Sequence, residues 1–129
     1  MFERLGYSTN VIQAPMAGVS TPALTAAVAN AGGLGFVALA TFTAERARQE
    51  LEQTRALTEK PFGVNLIPAA ENDIWTPPIL QVIKEEGVRA VVYTGYGEGV
   101  LIPALFNELK EAGIAIIYRD INPTPENTR

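Results

Sequence analysis

The 129-residue sequence contains no cysteine and no histidine. Without cysteine, the chain has no disulfide, no thiolate nucleophile and no thiolate-ligated metal. Without histidine, it has no Ser-His-Asp triad, no imidazole general base and no histidine-ligated zinc. Any chemistry that the chain performs must therefore use carboxylates, lysine, arginine, tyrosine, hydroxyl groups, backbone amides or a bound cofactor.

Positive charge and long apolar runs are also scarce. The chain has 10 Lys and Arg against 14 Asp and Glu, a net charge of −4, so we expect it to bind neither nucleic acid nor an anionic membrane surface. It has no run of apolar residues long enough to span a membrane and no signal peptide, which indicates a soluble, cytoplasmic protein. Its composition, 47% apolar and 19% charged, supports a buried core in one domain over residues 1–129.

Apolar runs alternate with helix-forming segments along the chain. Strands are predicted at Val11–Met16, Leu34–Ala40, Phe62–Ile67, Val88–Thr94 and Ile114–Tyr118. Helices are predicted at Ala23–Ala31, where Ser20-Thr21-Pro22 provides an N-cap hydroxyl and then a proline, from the N-cap Thr43 to Thr58, at Ile79–Glu86 and at Leu101–Ala112. The predicted strands are apolar throughout, which is typical of a parallel sheet covered on both faces. The fold class is therefore α/β, with about five parallel strands and four helices.

Two architectures fit this order of elements. One is a partial TIM (β/α)8 barrel that comprises its first five strands. The other is an open, flavodoxin-like doubly wound sheet. Periodicity does not choose between them, but the sequence ends where a sixth strand–helix unit would begin, and this favours the partial barrel.

Ligands of parallel α/β proteins bind at the carboxyl ends of the strands, so the residues there are the candidate site. These candidates are Pro15, Met16, Ala17, Gly18, Asn65, Thr94 and Gly95. Gly18 either lets a flat ligand approach the backbone or only forms a tight turn. Asn65, a polar residue in an apolar strand, is either satisfied within the core or directed at a ligand.

The glycine-rich segment Gly95–Gly99 does not form a dinucleotide-binding motif, because Val100 stands where the third glycine is required. It is either a flexible turn or a phosphate-binding loop. No pair of carboxylates is placed for acid–base catalysis. We therefore predict no catalytic residue and no metal site within this chain.

Three longer segments resemble the nitronate monooxygenases, formerly called 2-nitropropane dioxygenases, a family of FMN-dependent TIM barrels. They are Gln13–Leu24 (QAPMAGVSTPAL), Ala27–Gly35 (AVANAGGLG) and Arg55–Leu66 (RALTEKPFGVNL). The resemblance extends over residues 9–118. The last two segments are also similar to the flavin-dependent enoyl-ACP reductases, whereas Ala14–Ala17 matches the monooxygenase pattern better.

The resemblance implies oxidation of alkyl nitronates with FMN as cofactor. In the family, the Pro-Met-Ala-Gly turn lies against the flavin, which assigns this role to Met16, Ala17 and Gly18. The family's strand asparagine contacts FMN, which assigns that contact to Asn65. Thr94 and Gly95 occupy the corresponding position at the mouth of strand four.

The chain also departs from the family pattern. The family's catalytic histidine follows strand six and its phosphate-binding loops follow strands seven and eight, and neither feature is present. The chain therefore resembles the N-terminal half of such an enzyme, or slightly more. We expect weak or no FMN binding and negligible turnover by the isolated chain.

A half-barrel of this kind has two unpaired edges and a partly bare sheet face. We therefore expect association with itself or with a complementary C-terminal half. The alternatives are a fragment of an enoyl-ACP reductase-like enzyme and a flavin-binding or structural module without catalysis.

Overall fold

The computed structural model describes residues 3–68, 76–95, 103–121 and 124–125. A short 3-10 turn, Glu3–Leu5, precedes the alternating elements. The helices are α1 (Pro22–Asn30), α2 (Ala44–Leu57), α3 (Thr76–Glu85) and α4 (Pro103–Glu111). The strands are β1 (Phe36–Val37), β2 (Gly63–Leu66), β3 (Ala90–Gly95) and β4 (Ala115–Asp120). None of the helices described has the length and hydropathy needed to cross a membrane.

The strands form one parallel sheet in the order β1-β2-β3-β4, so each strand lies beside its predecessor. Right-handed crossovers that always step in the same direction place every helix on the same face of the sheet. This is the arrangement of a TIM barrel, whereas a doubly wound sheet reverses direction at an inner strand. The described strands confirm the partial barrel and contradict the flavodoxin-like alternative.

The first predicted strand, Val11–Met16, is reduced to one parallel bridge between Ile12 and Leu34. The second is also short, because β1 contains only Phe36 and Val37. Side chains replace the missing ladder: the N–H of Phe36 donates to Oε1 of Gln13 (3.0 Å), and the N–H of Leu39 donates to Oδ1 of Asn65 (2.7 Å). The prediction of about five strands therefore becomes four strands and a bridge.

Alternation along the strands divides the core into two layers. The layer that faces the helices contains Val37, Leu39, Val64, Leu66, Val91 and Tyr93. The inner layer, which corresponds to the barrel interior, contains Tyr7, Leu34, Phe36, Ala90 and Val92.

The inner face of the central strands is buried, so the expectation of a partly bare face is wrong for these strands. Its side chains pack on one another and on Tyr7 from the N-terminal segment. Each edge of the sheet, by contrast, carries exposed apolar side chains, Val11 and Ile12 on one side and Tyr118 and Ile121 on the other.

Threonines begin the first two helices, as the sequence predicts. Thr21 accepts a hydrogen bond from the N–H of Leu24 (3.3 Å), and Thr43 accepts one from the N–H of Arg46 (3.3 Å). Arg48 of α2 forms ion pairs with Glu85 and Glu86 at the end of α3. The hydrogen bond from Arg48 holds the pKa of Glu85 below its usual range.

Gly35 allows α1 to pack directly on the start of β1. A Cβ atom at this position would overlap the carbonyl oxygen of Thr25, which is backbone and therefore has little freedom to move. Gly87 differs, because its φ of +64° lies in the left-handed region but nothing lies within 4 Å of its Cβ position.

We expect Gly35→Ala to lower the free energy of unfolding by about 3 kcal/mol, because the helix must shift away from the sheet. Gly87→Ala should cost only about 1 kcal/mol, since it introduces backbone strain without overlap. Urea titration followed by circular dichroism measures both. Equal losses in the two variants would contradict the proposed helix–sheet contact.

Tyr7 carries a buried hydroxyl without a hydrogen-bond partner in the structure. Burial raises its pKa to about 12, although the charges of Arg89 and Arg55 act in the opposite direction. Below the ordinary tyrosine pKa of 10.0, folded and unfolded chains both keep the proton, and Tyr7 adds no pH dependence. Between that value and about 12, only the unfolded chain releases it, so stability falls as the pH rises.

We expect Tyr7→Phe to weaken this alkaline loss of stability, because the variant has no proton to release. It should unfold at a similar urea concentration to the unmodified chain at neutral pH, since the lost hydroxyl makes no hydrogen bond. Urea midpoints measured at neutral and alkaline pH test this. The same alkaline decline in both proteins would show that Tyr7 does not cause it.

Candidate functional site

The segment from Pro15 to Gly18 forms a tight turn at the end of the first strand segment. The carbonyl oxygen of Met16 accepts hydrogen bonds from the N–H groups of Val19 (3.1 Å) and Ser20 (2.9 Å). Gly18 has a φ of +74°, a conformation that favours glycine, and its Cβ position is open to solvent. Both sequence interpretations of Gly18 therefore remain physically compatible: it makes the turn, and it leaves the backbone accessible.

Ser20 holds this turn in place with all of its hydrogen-bonding capacity. Its hydroxyl accepts from the N–H of Met16 (2.8 Å) and from Nε2 of Gln13 (2.6 Å), and it donates to the carbonyl oxygen of Ala14 (3.2 Å). The other end of the Gln13 amide accepts the N–H of Phe36. Gln13 and Ser20 therefore fix the turn relative to β1.

Sequence reasoning missed both of these positioning residues. Gln13 carried the signal that singled out Asn65, because it is an amide within an apolar run. Ser20 was assigned only to the start of α1, where Thr21 is in fact the cap.

The turn presents an apolar surface to solvent. Met16 is 45% exposed and Val19 is 53% exposed, and Ala17 and Gly18 between them are also exposed, whereas Pro15 is half-buried. The backbone below this surface is held in place by the hydrogen bonds of Gln13 and Ser20. A flat, apolar ligand could lie against it without displacing a protein group.

Asn65 lies on the inner face of β2 and is only 5% exposed. It is paired in register with Val92, which belongs to the inner layer. Its Oδ1 atom accepts the N–H of Leu39, while its Nδ2 atom donates no hydrogen bond to any group that the structure describes. The Oδ1 atom of Asn65 therefore serves the fold, while its Nδ2 atom can donate to a ligand.

Thr94 and Gly95 face opposite sides of the sheet. Thr94 follows Val92 by two residues and so shares its inner face; its Oγ1 atom is buried and has no hydrogen-bond partner. An unpaired buried hydroxyl costs free energy and indicates a missing partner. At Gly95, a Cβ atom would lie 2.5 Å from Oη of Tyr118, so packing already explains this glycine.

Side-chain amides link the parts of this site across the sheet. Gln13 joins the turn to the start of β1, and Asn65 joins the chain just beyond β1 to β2. Thr94 lies one strand farther along on the same inner face. The structure thus brings the turn, Asn65 and Thr94 together at the carboxyl end of the sheet. A side chain at Gly95 would point to the opposite face.

The remaining predicted features give no further site in the described residues. Nowhere among them do three or more acidic side chains group so as to hold a metal ion. Except for Gly95, the glycine-rich segment Gly95–Gly99 lies outside the described residues. Tyr118 donates a hydrogen bond to Asp120 (3.2 Å) on the helix side of β4, and burial together with this carboxylate raises the pKa of Tyr118.

Comparison with known proteins agrees with this geometry. The sequence profile of the nitronate monooxygenase family matches residues 2–94. The nitronate monooxygenase of Pseudomonas aeruginosa is 58% identical over 117 residues, an alignment that covers 81% of this chain and 33% of that protein. The chain thus spans about a third of the length of this relative.

Solved structures show the same relationship. FabK from Thermotoga maritima superposes with a TM-score of 0.77 at 32% identity, covering 90% of this chain and 35% of that one. The nitroalkane oxidase from Streptomyces ansochromogenes superposes with a TM-score of 0.71 at 28% identity, covering 87% and 40%. Both are TIM barrels, in agreement with the strand order. By sequence profile, by identity and by fold, this chain belongs to the nitronate monooxygenase family.

Proposed function

We propose that this chain forms the flavin-facing part of an FMN-dependent enzyme that oxidises alkyl nitronates. One observation carries the proposal: an exposed apolar turn, held by Ser20 and Gln13, lies at the same end of the sheet as two unused inner-face donors, Nδ2 of Asn65 and Oγ1 of Thr94. A flat ring with polar edge atoms is the kind of ligand that needs both features.

These residues fit the isoalloxazine ring of FMN in shape and chemistry. Met16, Ala17 and Gly18 offer an apolar surface without a protruding polar group. Asn65 and Thr94 offer hydrogen-bond donors, and the flavin edge carries carbonyl and ring-nitrogen acceptors. When bound, FMN supplies the electron transfer from nitronate to oxygen. The chain's own residues orient the ring and keep water from one side of it.

This chain covers about a third of the length of the Pseudomonas aeruginosa relative. It contains no histidine, and contacts to the FMN phosphate normally supply much of the affinity. We therefore propose that the isolated chain binds FMN weakly and does not turn over substrate. Activity would require a C-terminal partner whose strands pair with the exposed edges at Ile12 and β4, and self-association through these edges is the competing arrangement. We place this activity in the cytoplasm.

A second candidate is an enoyl-ACP reductase-like activity. The higher TM-score with FabK than with the nitroalkane oxidase favours it. The same flavin surface would serve both activities, so FMN binding does not separate them. Assays of a completed enzyme with an alkyl nitronate and with an enoyl thioester do, and oxidation of the nitronate is the expected result.

Gly18→Ala tests contact between the turn and the flavin. We expect it to lower FMN affinity about tenfold, because the new methyl group would hold the ring away from the backbone. Quenching of flavin fluorescence during titration with the full chain measures this affinity.

Gly113→Ala is the matched control. Gly113 has nearly the same φ, +71° against +74°, and an equally open Cβ position, but it lies in the turn after α4. Both variants should lose about 1 kcal/mol of stability from backbone strain. Equal FMN affinities in the two variants would place the flavin elsewhere, and an unmodified chain that never quenches the fluorescence would refute binding by this chain.

Two variants of Asn65 separate its roles. Asn65→Ala removes both roles and should lower stability by about 2 kcal/mol, because the N–H of Leu39 loses its buried acceptor. Asn65→Asp keeps that acceptor but replaces the Nδ2 donor with a carboxylate oxygen, so it should weaken FMN binding at least tenfold, and burial of the new charge should also lower stability. Urea unfolding and flavin fluorescence measure the two effects. Unchanged FMN affinity in Asn65→Asp would show that Asn65 serves only the fold.

A further inference from the structure

Arg119 is a cation whose position the flavin site alone does not explain. It follows Ala115 and Ile117 on β4, and both of these pack against the inner layer. The intervening Ile116 packs against the helix-facing layer, and Tyr118 stacks on Tyr93 of that layer. Alternation therefore directs Arg119 to the inner face.

The nearest position to Arg119 across the sheet is occupied by Thr94, its register partner on β3. The Thr94 hydroxyl is the buried, unpaired donor described above. The guanidinium of Arg119 is exposed, and none of the ion pairs formed among the described residues includes it. A positive charge and an unused donor thus stand side by side at the carboxyl end of the sheet.

This cation is unlike the others that the structure describes. Arg46, Arg48 and Arg55 belong to α2, Lys84 to α3 and Lys110 to α4. Lys60 and Arg89 precede β2 and β3, at the opposite end of the sheet. Among the side chains described, Arg119 is therefore the one positive charge on the inner face at the carboxyl end.

The proposed substrate is an anion, and the chain as a whole carries a net charge of −4. An acidic protein attracts an anionic substrate to its active site only if positive charge is concentrated there. A nitronate presents two coplanar oxygens, the same pattern as a carboxylate, and a guanidinium binds this pattern with two parallel hydrogen bonds.

We propose that the guanidinium of Arg119, next to the flavin donor Thr94, recognises the two anionic oxygens of the substrate. This inference rests on the proposed function, because the substrate's charge is taken from it. Arg119 acts as a binding and specificity residue: it selects the nitronate anion over its uncharged nitroalkane tautomer and holds the anion on the inner face, above the ends of β3 and β4.

The test uses isobutyrate, whose carboxylate presents two coplanar anionic oxygens as propane-2-nitronate does and which FMN does not oxidise, and isobutyramide as its uncharged counterpart. Each is titrated into the full chain with and without FMN. The NMR signal of the Arg119 Nε–H group reports binding in both conditions. We expect saturable shifts with isobutyrate and none with isobutyramide.

Arg119→Gln should weaken isobutyrate binding at least about tenfold, whereas Arg119→Lys should lose less because it keeps the charge. In these variants, backbone amide shifts of residues 92–95 replace the Arg119 signal. Arg89→Gln is the matched control, since it removes one arginine at the opposite end of the neighbouring strand, and it should leave the affinity unchanged. An equal loss in Arg89→Gln would reduce the effect to net charge and overturn the proposal.

Thr94→Val and Thr25→Val form a second matched pair, because each removes a buried hydroxyl that has no partner. Neither should lower stability, and only Thr94→Val should weaken FMN binding, because its hydroxyl is the proposed flavin donor beside Arg119. Unchanged FMN affinity in Thr94→Val would remove Thr94 from the site.

Titrations with FMN distinguish an error in the role of Arg119 from an error in the proposed function. If Arg119→Gln weakens FMN binding and leaves isobutyrate binding intact, the guanidinium contacts the flavin and the inference is wrong. If the unmodified chain binds FMN but gives no saturable isobutyrate shift, only the role of Arg119 fails. If it binds isobutyrate at Arg119 but never FMN, the proposed function fails on its own.

Discussion

The carboxyl end of this sheet depends on two side-chain amides that hold one short strand. Gln13 accepts the N–H of Phe36 at the beginning of β1, and Asn65 accepts the N–H of Leu39 just beyond its end. Buried N–H groups require partners, and here the neighbouring backbone does not supply them. The same two amides reach the candidate site, since Gln13 also binds Ser20 beneath the turn and Asn65 retains a free donor on the inner face. Fold and site therefore share these bonds.

These shared bonds make the structural and functional interpretations of the same residues compatible. Gly18 shapes its turn and leaves the backbone open. Asn65 satisfies a strand N–H with one atom and offers the other. Gly95 is different, because contact with Tyr118 alone accounts for the absence of a side chain.

The positively charged side chains lie on both sides of the sheet, but in different surroundings. Three cations of the described helices pair with glutamates on the outside of the sheet: Arg46 with Glu50, Arg48 with Glu85 and Glu86, and Lys84 with Glu108. Such exposed pairs contribute little to stability. Arg119 stands apart from them on the inner face, and none of the ion pairs among the described residues includes it.

The sequence by itself determined the α/β class, the order and approximate bounds of the helices, the Thr43 cap and the family. These follow from local rules: hydrophobic period, capping chemistry and contiguous motifs. It also pointed to Asn65, because an amide in an apolar run is conspicuous. Only the tertiary structure decided the strand order, which rejects the doubly wound sheet, and the burial of the inner face. It also revealed that Ser20 supports the turn and that Arg119 lies beside Thr94. Residues far apart in sequence meet in these features, and neither register nor side-chain direction across neighbouring strands is encoded in any one local segment.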